Sequence, residues 1–316
     1  MNSGAAPGAA AGKHRLAVCI PTLRRPHMLA DCLAAVAGLD APAGAAVHVI
    51  VADNDAAGTA RQQVKQLQAA FPWPLHYTLE PERGLAAVRN RLLDTAVELD
   101  ADWIAFLDDD EMPAPDWLCA LWRSAQEYGA DVVTGPLVPV HGVEETADAR
   151  GGRQQAAGTV PRHVACNNVL FRAALAVDQG LRFDRFYDFI GGEDFDFFNR
   201  SRAAGNPHVW AADAVVFERV PPERRTLRYL CYRHFTGAIN NVLRGRRDRG
   251  NLAAWCRFLP KLTGKLLAAP VYAVLALITW NGETGRKALK QLSSGLGYGA
   301  GLCNIVVERY RDIDGN

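Results

Sequence analysis

Between Leu16 and Leu137 the chain alternates short apolar runs with longer amphipathic stretches, and the runs end in polar or turn residues. This is the rhythm of β-α-β units, in which strands of a largely parallel sheet feed helices that cover it. It predicts strands over residues 16–20, 47–51, 75–79, 103–107 and 131–134. Helices are predicted in the gaps: one opening at Pro26 with Met28, Leu29, Leu33 and Val36 on one face, then 58–70, 85–99 and a fourth starting at Pro115 and running to Tyr128. Parallel strands place ligands at their carboxyl ends, so Thr22, Asp53 and Asp108 are the residues to watch.

From Pro136 to Pro161 the apolar periodicity fades into Gly, Ala, Gln and charge, which reads as a long mobile loop. Order returns with VACNNVLFRAAL, an aromatic stretch over 183–198 that contains GGEDFDFF, a helix to Ala204 and a strand over 208–217. The lead, residues 1–14, begins with an Ala/Gly/Pro tract that lacks the basic start and long apolar core of an export signal and is expected to be disordered.

The near-neutral total charge hides an asymmetry. Residues 1–218 carry 18 Lys+Arg against 28 Asp+Glu, and residues 219–316 carry 17 against 6, so a body of net charge −10 joins a tail of +11. The near-neutral total argues against a nucleic-acid binder. Seven cysteines are scattered singly without a C-x-x-C pair, which speaks against zinc and disulfide scaffolds and for a reducing cytosol. In the tail, Arg219, Arg224, Arg225, Arg228, Arg233, Arg244, Arg246, Arg247 and Arg249 precede Leu266 to Trp280, 15 residues without a charge. That is short of the ~20 apolar residues of a spanning helix, and Pro270 interrupts it, so the segment reads as lying in a membrane interface. A second uncharged, glycine-rich stretch from Leu292 to Val307 is suited to pack closely against the first.

The sharpest local feature is IAFLDDDEMP, which places Asp108, Asp109, Asp110 and Glu111 directly after an apolar strand. Adjacent carboxylates repel unless a cation neutralises them, and Mg²⁺ takes carboxylate oxygens together with substrate phosphates. The bland alternative is a solvated acidic turn. VADND puts Asp53 at a second strand end, and RGLAAVRN offers Gly84 for close backbone approach, with Arg89 and Asn90 as donors to a base or phosphate; an exposed helix position is the ordinary alternative for Arg89. GGED starts a helix, where the dipole favours charged carboxylates, so Glu193 and Asp194 suit either proton acceptance or simple capping. There is no G-x-S-x-G elbow, histidine cluster, G-x-G-x-x-G or P-loop.

Taken in order, IPTLRRP, VADND, RGLAAVRN, FLDDDEMPAPDWL and GGEDFDFFNRSRAAG resemble the motif series of family 2 glycosyltransferases, over roughly Val18 to Val220. The resemblance implies a GT-A fold, a Rossmann-like nucleotide-binding mixed sheet flanked by helices, and an inverting enzyme that uses a nucleotide-activated sugar with Mg²⁺ or Mn²⁺. It implies that Thr22 and Asp53 hold the nucleoside, Asp53 facing the base, and that Arg89 contacts the base or phosphates. Asp109 would lie near the ribose and Asp110 would bind the metal, although the triplet also allows a frame in which Asp108 is the first acid. Asp194 matches the general base and Glu193 its neighbour. Many relatives carry a histidine after the last core strand; this chain has Glu218, leaving Glu218 or His234 as third metal ligand. The processive Q-x-x-R-W signature is absent.

The tail, VPPERRTLRYLCYRHFTGA and LPKLTGKLLAAPVYAVLALITW, resembles bacterial exopolysaccharide glucosyltransferases of the succinoglycan type. That resemblance implies a UDP-sugar donor, transfer of glucose to a polyprenyl-diphosphate-linked oligosaccharide, and a cytoplasmic enzyme peripheral to the inner face of the cell membrane, held at its anionic surface. The expected organisation is a disordered lead (1–14), a GT-A domain (15–222) and a basic helical extension (223–316). The alternatives from other classes are a non-catalytic membrane-associated scaffold and a D-x-D phosphohydrolase.

Overall fold

A computed structural model describes residues 14–140 and 155–311; the expected disordered lead, apart from His14, and most of the expected long loop fall outside them. The described chain divides into two compact units, one holding residues 14–188 and 193–219, the other residues 189–192 and 220–311.

The first unit is built on β1 (His14–Thr22), α1 (Pro26–Ala37), β2 (Ala45–Asp53), α2 (Arg61–Gln68), β3 (Leu75–Leu79), α3 (Leu85–Glu98) and β4 (Trp103–Phe106). After a hairpin-like excursion through β5 (Glu111–Pro113) come α4 (Trp117–Tyr128), β6 (Val132–Thr134), β7 (Leu137–Val140), β8 (Val169–Arg172), α5 (Ala174–Val177), α6 (Glu193–Ala203), β9 (His208–Trp210) and β10 (Val216–Arg219). Seven strands form one mixed sheet in the order β3-β2-β1-β4-β8-β6-β9, and β5-β10-β7 form a second. Strands β1 to β4 pair in parallel, whereas β8 runs antiparallel between β4 and β6.

Alternation along each strand sorts the core into two layers. Leu16, Val18 and Ile20 of β1, with Val47, Val49 and Val51 of β2, face α1 and α4, which contribute Leu29, Leu33, Trp117 and Leu121. The intervening Ala17, Cys19, Ile50, Ala52, Ile104 and Phe106 face Ala86, Leu92 and Leu93 of α3, with Phe183 and Phe197. Burial on both faces is why these strands read as continuous apolar runs in the sequence. Pro26 stands at the start of α1, where its missing N–H costs nothing, and Leu29, Cys32, Leu33 and Val36 form its buried stripe. The order 3-2-1-4 reverses direction between β1 and β4, so a crevice opens at their carboxyl ends, beside Thr22 and Asp108.

Two expectations are corrected. The strand expected over 208–217 is two strands, β9 in the large sheet and β10 in the small one. The chain turns at Ala211–Val215, where Ala214 N–H donates to Ala211 and Val215 N–H to Asp213, and exposed Asp213 cannot continue a buried strand. The stretch after Pro136 is not loop from its start: Leu137–Val140 forms β7 beside β10, with Val138 and Val140 buried.

The second unit contains α7 (Leu227–Thr279) and α8 (Gly282–Leu302). Pro270 does not interrupt the apolar segment as expected; α7 continues through Pro260 and Pro270 and breaks instead at Gly250, at φ 81° and ψ 171°. A proline leaves one carbonyl unpaired and bends a helix without having to end it, whereas this glycine abandons helical geometry altogether. Between the two arms of α7, α8 uses small residues on opposite faces. A Cβ on Gly297 or Gly301 would strike the Phe235 carbonyl or Val242 of the first arm, and one on Gly295 would strike Leu266 of the second. Phe258 and Tyr298 stack at 5.6 Å within this packing. Toward its end the second arm exposes Leu267, Val271, Val274, Leu277, Ile278 and Trp280.

One buried group gives the first unit a pH signature. His208 lies in β9 with Nε2 3.1 Å from Ser201 Oγ, and burial, followed by the charge of Arg202, lowers its pKa to about 4. An unfolded histidine titrates near 6.5, so the unfolded chain takes up this proton first as the medium acidifies. The contribution of neutral His208 is therefore complete above about pH 6.5 and lost as pH falls toward 4, on the order of 2 kcal/mol. In urea unfolding between pH 7 and pH 4.5, His208→Gln is expected to flatten the decline by about that amount; identical slopes for the two proteins would exclude this role.

Candidate active site

The acidic run forms the turn that leaves the large sheet at β4 and enters the small one at β5. It closes on itself: Glu111 Oε2 accepts from Asp108 N–H at 2.9 Å, and Glu111 N–H donates to the Asp108 carbonyl at 3.2 Å. Burial, with Asp108 next in effect, pushes the Glu111 carboxyl well above the usual range, so this fourth acid favours its neutral form. Across the small sheet its register partner is Glu218 of β10. Sequence reading saw Glu111 only as part of the cluster.

The triplet is not solvated as a simple acidic turn would be. Asp109 points inward, accepting from Thr22 Oγ1 at 2.8 Å and from Arg25 Nη1 at 3.1 Å. Burial raises its pKa to about 6 even though Arg25 and Thr22 oppose the rise. Arg25 also lies 3.5 Å from Asp110 Oδ2. It was not among the expected site residues; its place three residues beyond the end of β1, at the mouth of the crevice, was the signal. Asp108 is the most open of the three, with a third of its side chain exposed.

Arg89 is not an exposed helix residue. It is 6% exposed on α3, and its guanidinium reaches both acidic clusters: Nη1 pairs with Glu193 Oε1, and Nη2 lies 3.4 Å from Asp108 Oδ1. Its neighbour Asn90 is structural, exchanging hydrogen bonds of 2.9 and 2.8 Å with the backbone N–H and C=O of Phe183. The start of α3 is fixed by Asp188, whose Oδ1 accepts from Ala87 N–H and whose carbonyl accepts from Leu85 N–H. Gly84 is required there, since a Cβ would stand 2.2 Å from the Asp188 carboxyl carbon at a φ of 153°.

Asp53 is fully buried, and its oxygens accept from Asp55 N–H, Ala60 N–H and Tyr77 Oη. It organises the loop after β2. The base contact that the family resemblance implies for Asp53 therefore has no exposed oxygen to use, and Thr22 is likewise turned toward Asp109. Asn54, which was not singled out, ties the loops after β2 and β3 together: its side chain donates to the Glu80 and Glu82 carbonyls and accepts from Gly84 N–H.

Glu193 and Asp194 open α6. Glu193 is 2% exposed, committed through Oε1 to Arg89, while its buried Oε2 has no hydrogen-bond partner among the described residues. Asp194 is half-buried and accepts from Phe195 N–H through Oδ1. The two acids thus differ: Glu193 is locked, Asp194 is open to an incoming group.

Among the described residues no three His, Cys, Asp or Glu side chains gather closely enough to hold an ion by themselves. The donors that are present, Asp108, Asp110 and Glu218, are hard oxygens. That fits Mg²⁺ or Mn²⁺, which are held by one or two carboxylates together with substrate phosphates. His234 belongs to the other unit, where burial and then Lys290, Lys265 and Arg233 lower its pKa.

Removing one partner of a buried ion pair costs about 3–5 kcal/mol, because the other charge remains buried. Arg89→Met is expected to destabilise the protein by that order in urea unfolding, and adding Glu193→Met should restore a large part of the loss. If the double variant is less stable than Arg89→Met, the ion-pair account of Arg89 is wrong.

The model of "Glycosyl transferase family 2" matches residues 17–174. "Succinoglycan biosynthesis protein ExoM" of Rhizobium meliloti (strain 1021) is 35% identical over 247 residues, 76% of this chain and 78% of its own. Among solved structures, the mannosyltransferase PcManGT from Pyrobaculum calidifontis, in complex with GDP-Man and Mn²⁺, superimposes with a TM-score of 0.56 at 18% identity over 91% of this chain and 89% of its own. S. aureus TarS 1-349 gives 0.55 at 15% identity over 90% of each chain, and its complex with UDP-GlcNAc gives 0.53 at 16% identity over 70% of this chain and 66% of its own. The longer TarS chain is matched over 39% of its length. These likenesses establish the GT-A fold, and the family match and the ExoM relative make this chain a member of glycosyltransferase family 2.

Proposed function

We propose that the chain is an inverting, metal-dependent hexosyltransferase that moves a sugar, glucose in our reading, from a UDP-sugar to a hydroxyl of a polyprenyl-diphosphate-linked oligosaccharide. The observation that carries the reading is the pairing of Arg89 with Asp108 of the acidic turn and Glu193 at the head of α6. A donor-side acid and an acceptor-side acid are brought to one place at the carboxyl ends of the sheet.

The triplet divides its work by direction. Asp108, the open acid, is assigned to the ribose and diphosphate side, Asp110 to the metal, and Asp109 to holding the turn through Thr22 and Arg25. Asp110, with Glu218 on the adjacent strand as the second oxygen donor, would hold Mg²⁺ or Mn²⁺. Bound there, the ion would neutralise the charge that builds on the departing nucleoside diphosphate. Asp53 and Thr22 support the nucleoside indirectly, by fixing the loop after β2 and the turn. Asp194 takes the proton from the acceptor hydroxyl as that oxygen attacks the anomeric carbon from the face opposite the diphosphate, a single displacement that inverts configuration. Glu193, held by Arg89, keeps the head of α6 in place.

The acceptor reading draws on the relative's part in succinoglycan biosynthesis and on the second unit. Within α7 an 18-residue window has mean hydropathy 1.7 and is only 6% buried, which is unlike the core helix of a soluble bundle. Lys261, Lys265, Arg286, Lys287 and Lys290 flank the exposed apolar segment, and each gains about 1 kcal/mol near an anionic surface. We read residues 15–222 as the transferase domain and 223–316 as an extension that docks on the cytoplasmic face of the membrane.

Three outcomes follow. UDP with Mn²⁺ should raise the melting temperature more than GDP, ADP or CDP with Mn²⁺, and EDTA should abolish the shift; no shift with any nucleotide would overturn the donor assignment. Asp194→Asn should keep that shift yet lose at least about 100-fold in transfer of labelled glucose from UDP-glucose to lipid extract, and wild-type transfer would refute the base. Leu277→Asp with Ile278→Asp should abolish co-sedimentation with phosphatidylglycerol-containing vesicles; unchanged sedimentation would dismiss the docking segment.

A further inference from the structure

Several cations of the second unit have partners. Arg286 pairs with Glu283 and Arg311 with Glu308, and Lys261 lies 5.1 Å over the Phe258 ring. Lys265 and Lys290 differ from these: both are half-buried, and neither makes a hydrogen bond or ion pair among the described residues. The packing of α8 between the arms of α7 brings them toward one place. Gly295 of α8 sits against the second arm, where an added Cβ would lie 3.4 Å from Lys265 Cβ, and Gly297 sits against the first arm, where a Cβ would lie 2.2 Å from the Phe235 carbonyl oxygen. Lys290 precedes Gly297 by about two turns and so shares its face of α8. His234, the residue before Phe235, is half-buried there, and burial followed by the charges of Lys290, Lys265 and Arg233 lowers its pKa. Cations from both arms of α7 and from α8 thus stand around one neutral imidazole, with no carboxylate paired to them among the described residues.

Like charges gathered without a counterion repel one another, and partial burial raises the cost; an anion arriving from outside relieves both. The two lysines also have apolar company. Leu266 and Leu267 follow Lys265, Leu289 and Leu292 flank Lys290, and all four leucines are exposed. A ligand that satisfies both features is anionic at one end and hydrocarbon at the other. Charge narrows the class further, because a phosphodiester headgroup carries a single negative charge and a diphosphate ester more than that, closer to the sum of Lys265, Lys290 and Arg233. We propose that Lys265, Lys290 and Arg233, with His234 as a hydrogen-bond donor between them, bind the diphosphate of a prenyl-type lipid whose chain lies along the exposed leucines. The site lies wholly within the second unit. It deepens, and rests on, the reading of the acceptor as a polyprenyl-diphosphate-linked oligosaccharide, and it assigns His234 to lipid phosphate.

Titration calorimetry of geranyl diphosphate with the full-length protein tests this without a membrane, and EDTA keeps the metal-dependent donor site silent. Geranyl diphosphate should bind at least about 10-fold more tightly than dihexanoyl phosphatidylglycerol, which offers apolar chains with a single phosphate, and than inorganic diphosphate, which offers no chain. This comparison needs no variant. Lys265→Gln with Lys290→Gln should weaken geranyl diphosphate binding at least about 10-fold, whereas Arg286→Gln with Lys287→Gln, the same loss of charge about one turn away on α8, should stay within about 2-fold of wild type. No binding of geranyl diphosphate, equal affinity for either comparison ligand, or an equal loss in the two double variants would overturn the site. If the wild-type protein transfers sugar to no lipid in the extract, the acceptor reading fails by itself, and the titration still decides whether the diphosphate site exists.

Discussion

One buried guanidinium organises this active site. Arg89 projects from α3 between Asp108 on the acidic turn and Glu193 at the head of α6, segments 85 residues apart in the chain. A cation at 6% exposure is tolerable only where carboxylates surround it, and carboxylates in such number are tolerable only around cations. Arg25 repeats the arrangement on the other side of the turn, against Asp109 and Asp110. The charges of these residues are therefore set against one another within the fold itself.

The same logic separates roles among acids that look equivalent in the sequence. Asp109 and Glu111 are buried and pushed toward their neutral forms, so they shape the turn. Asp108 and Asp194 retain exposure, so they can meet a substrate. Asp53, at the end of β2, spends its oxygens on Asp55, Ala60 and Tyr77 and acts through the loop it holds. Position relative to the core, more than residue type, decides which carboxylate stays open to solvent.

Much of the fold was legible because doubly buried strands announce themselves: β1 contains the fully buried apolar run 16–20, and α1 opens at Pro26 with its buried stripe in register. The family was legible from the order of five motifs, since no single one of them constrains a fold. What escaped was non-local. Arg89 stands out by its motif as a donor, but its pairing with Glu193 shows only in the fold. Arg25 is placed by local sequence at the mouth of the crevice, but its partner Asp109 lies 84 residues on. The division of 208–217 between two sheets depends on partners, β6 and β5, that local pattern does not reveal. The helix break fell at Gly250 and not at Pro270, because a proline can continue a helix at the cost of one hydrogen bond.

The central claim is that the protein supplies too few ligands of its own and that the metal is held jointly with the nucleoside diphosphate, through Asp110. Electron paramagnetic resonance of Mn²⁺ titrated into the protein tests it directly. The account predicts weak binding to the protein alone, about 10-fold or more tighter binding once UDP is present, and loss of that gain in Asp110→Asn. Equal Mn²⁺ affinity with and without UDP, or an Asp110→Asn protein that binds as the wild type does, would contradict it.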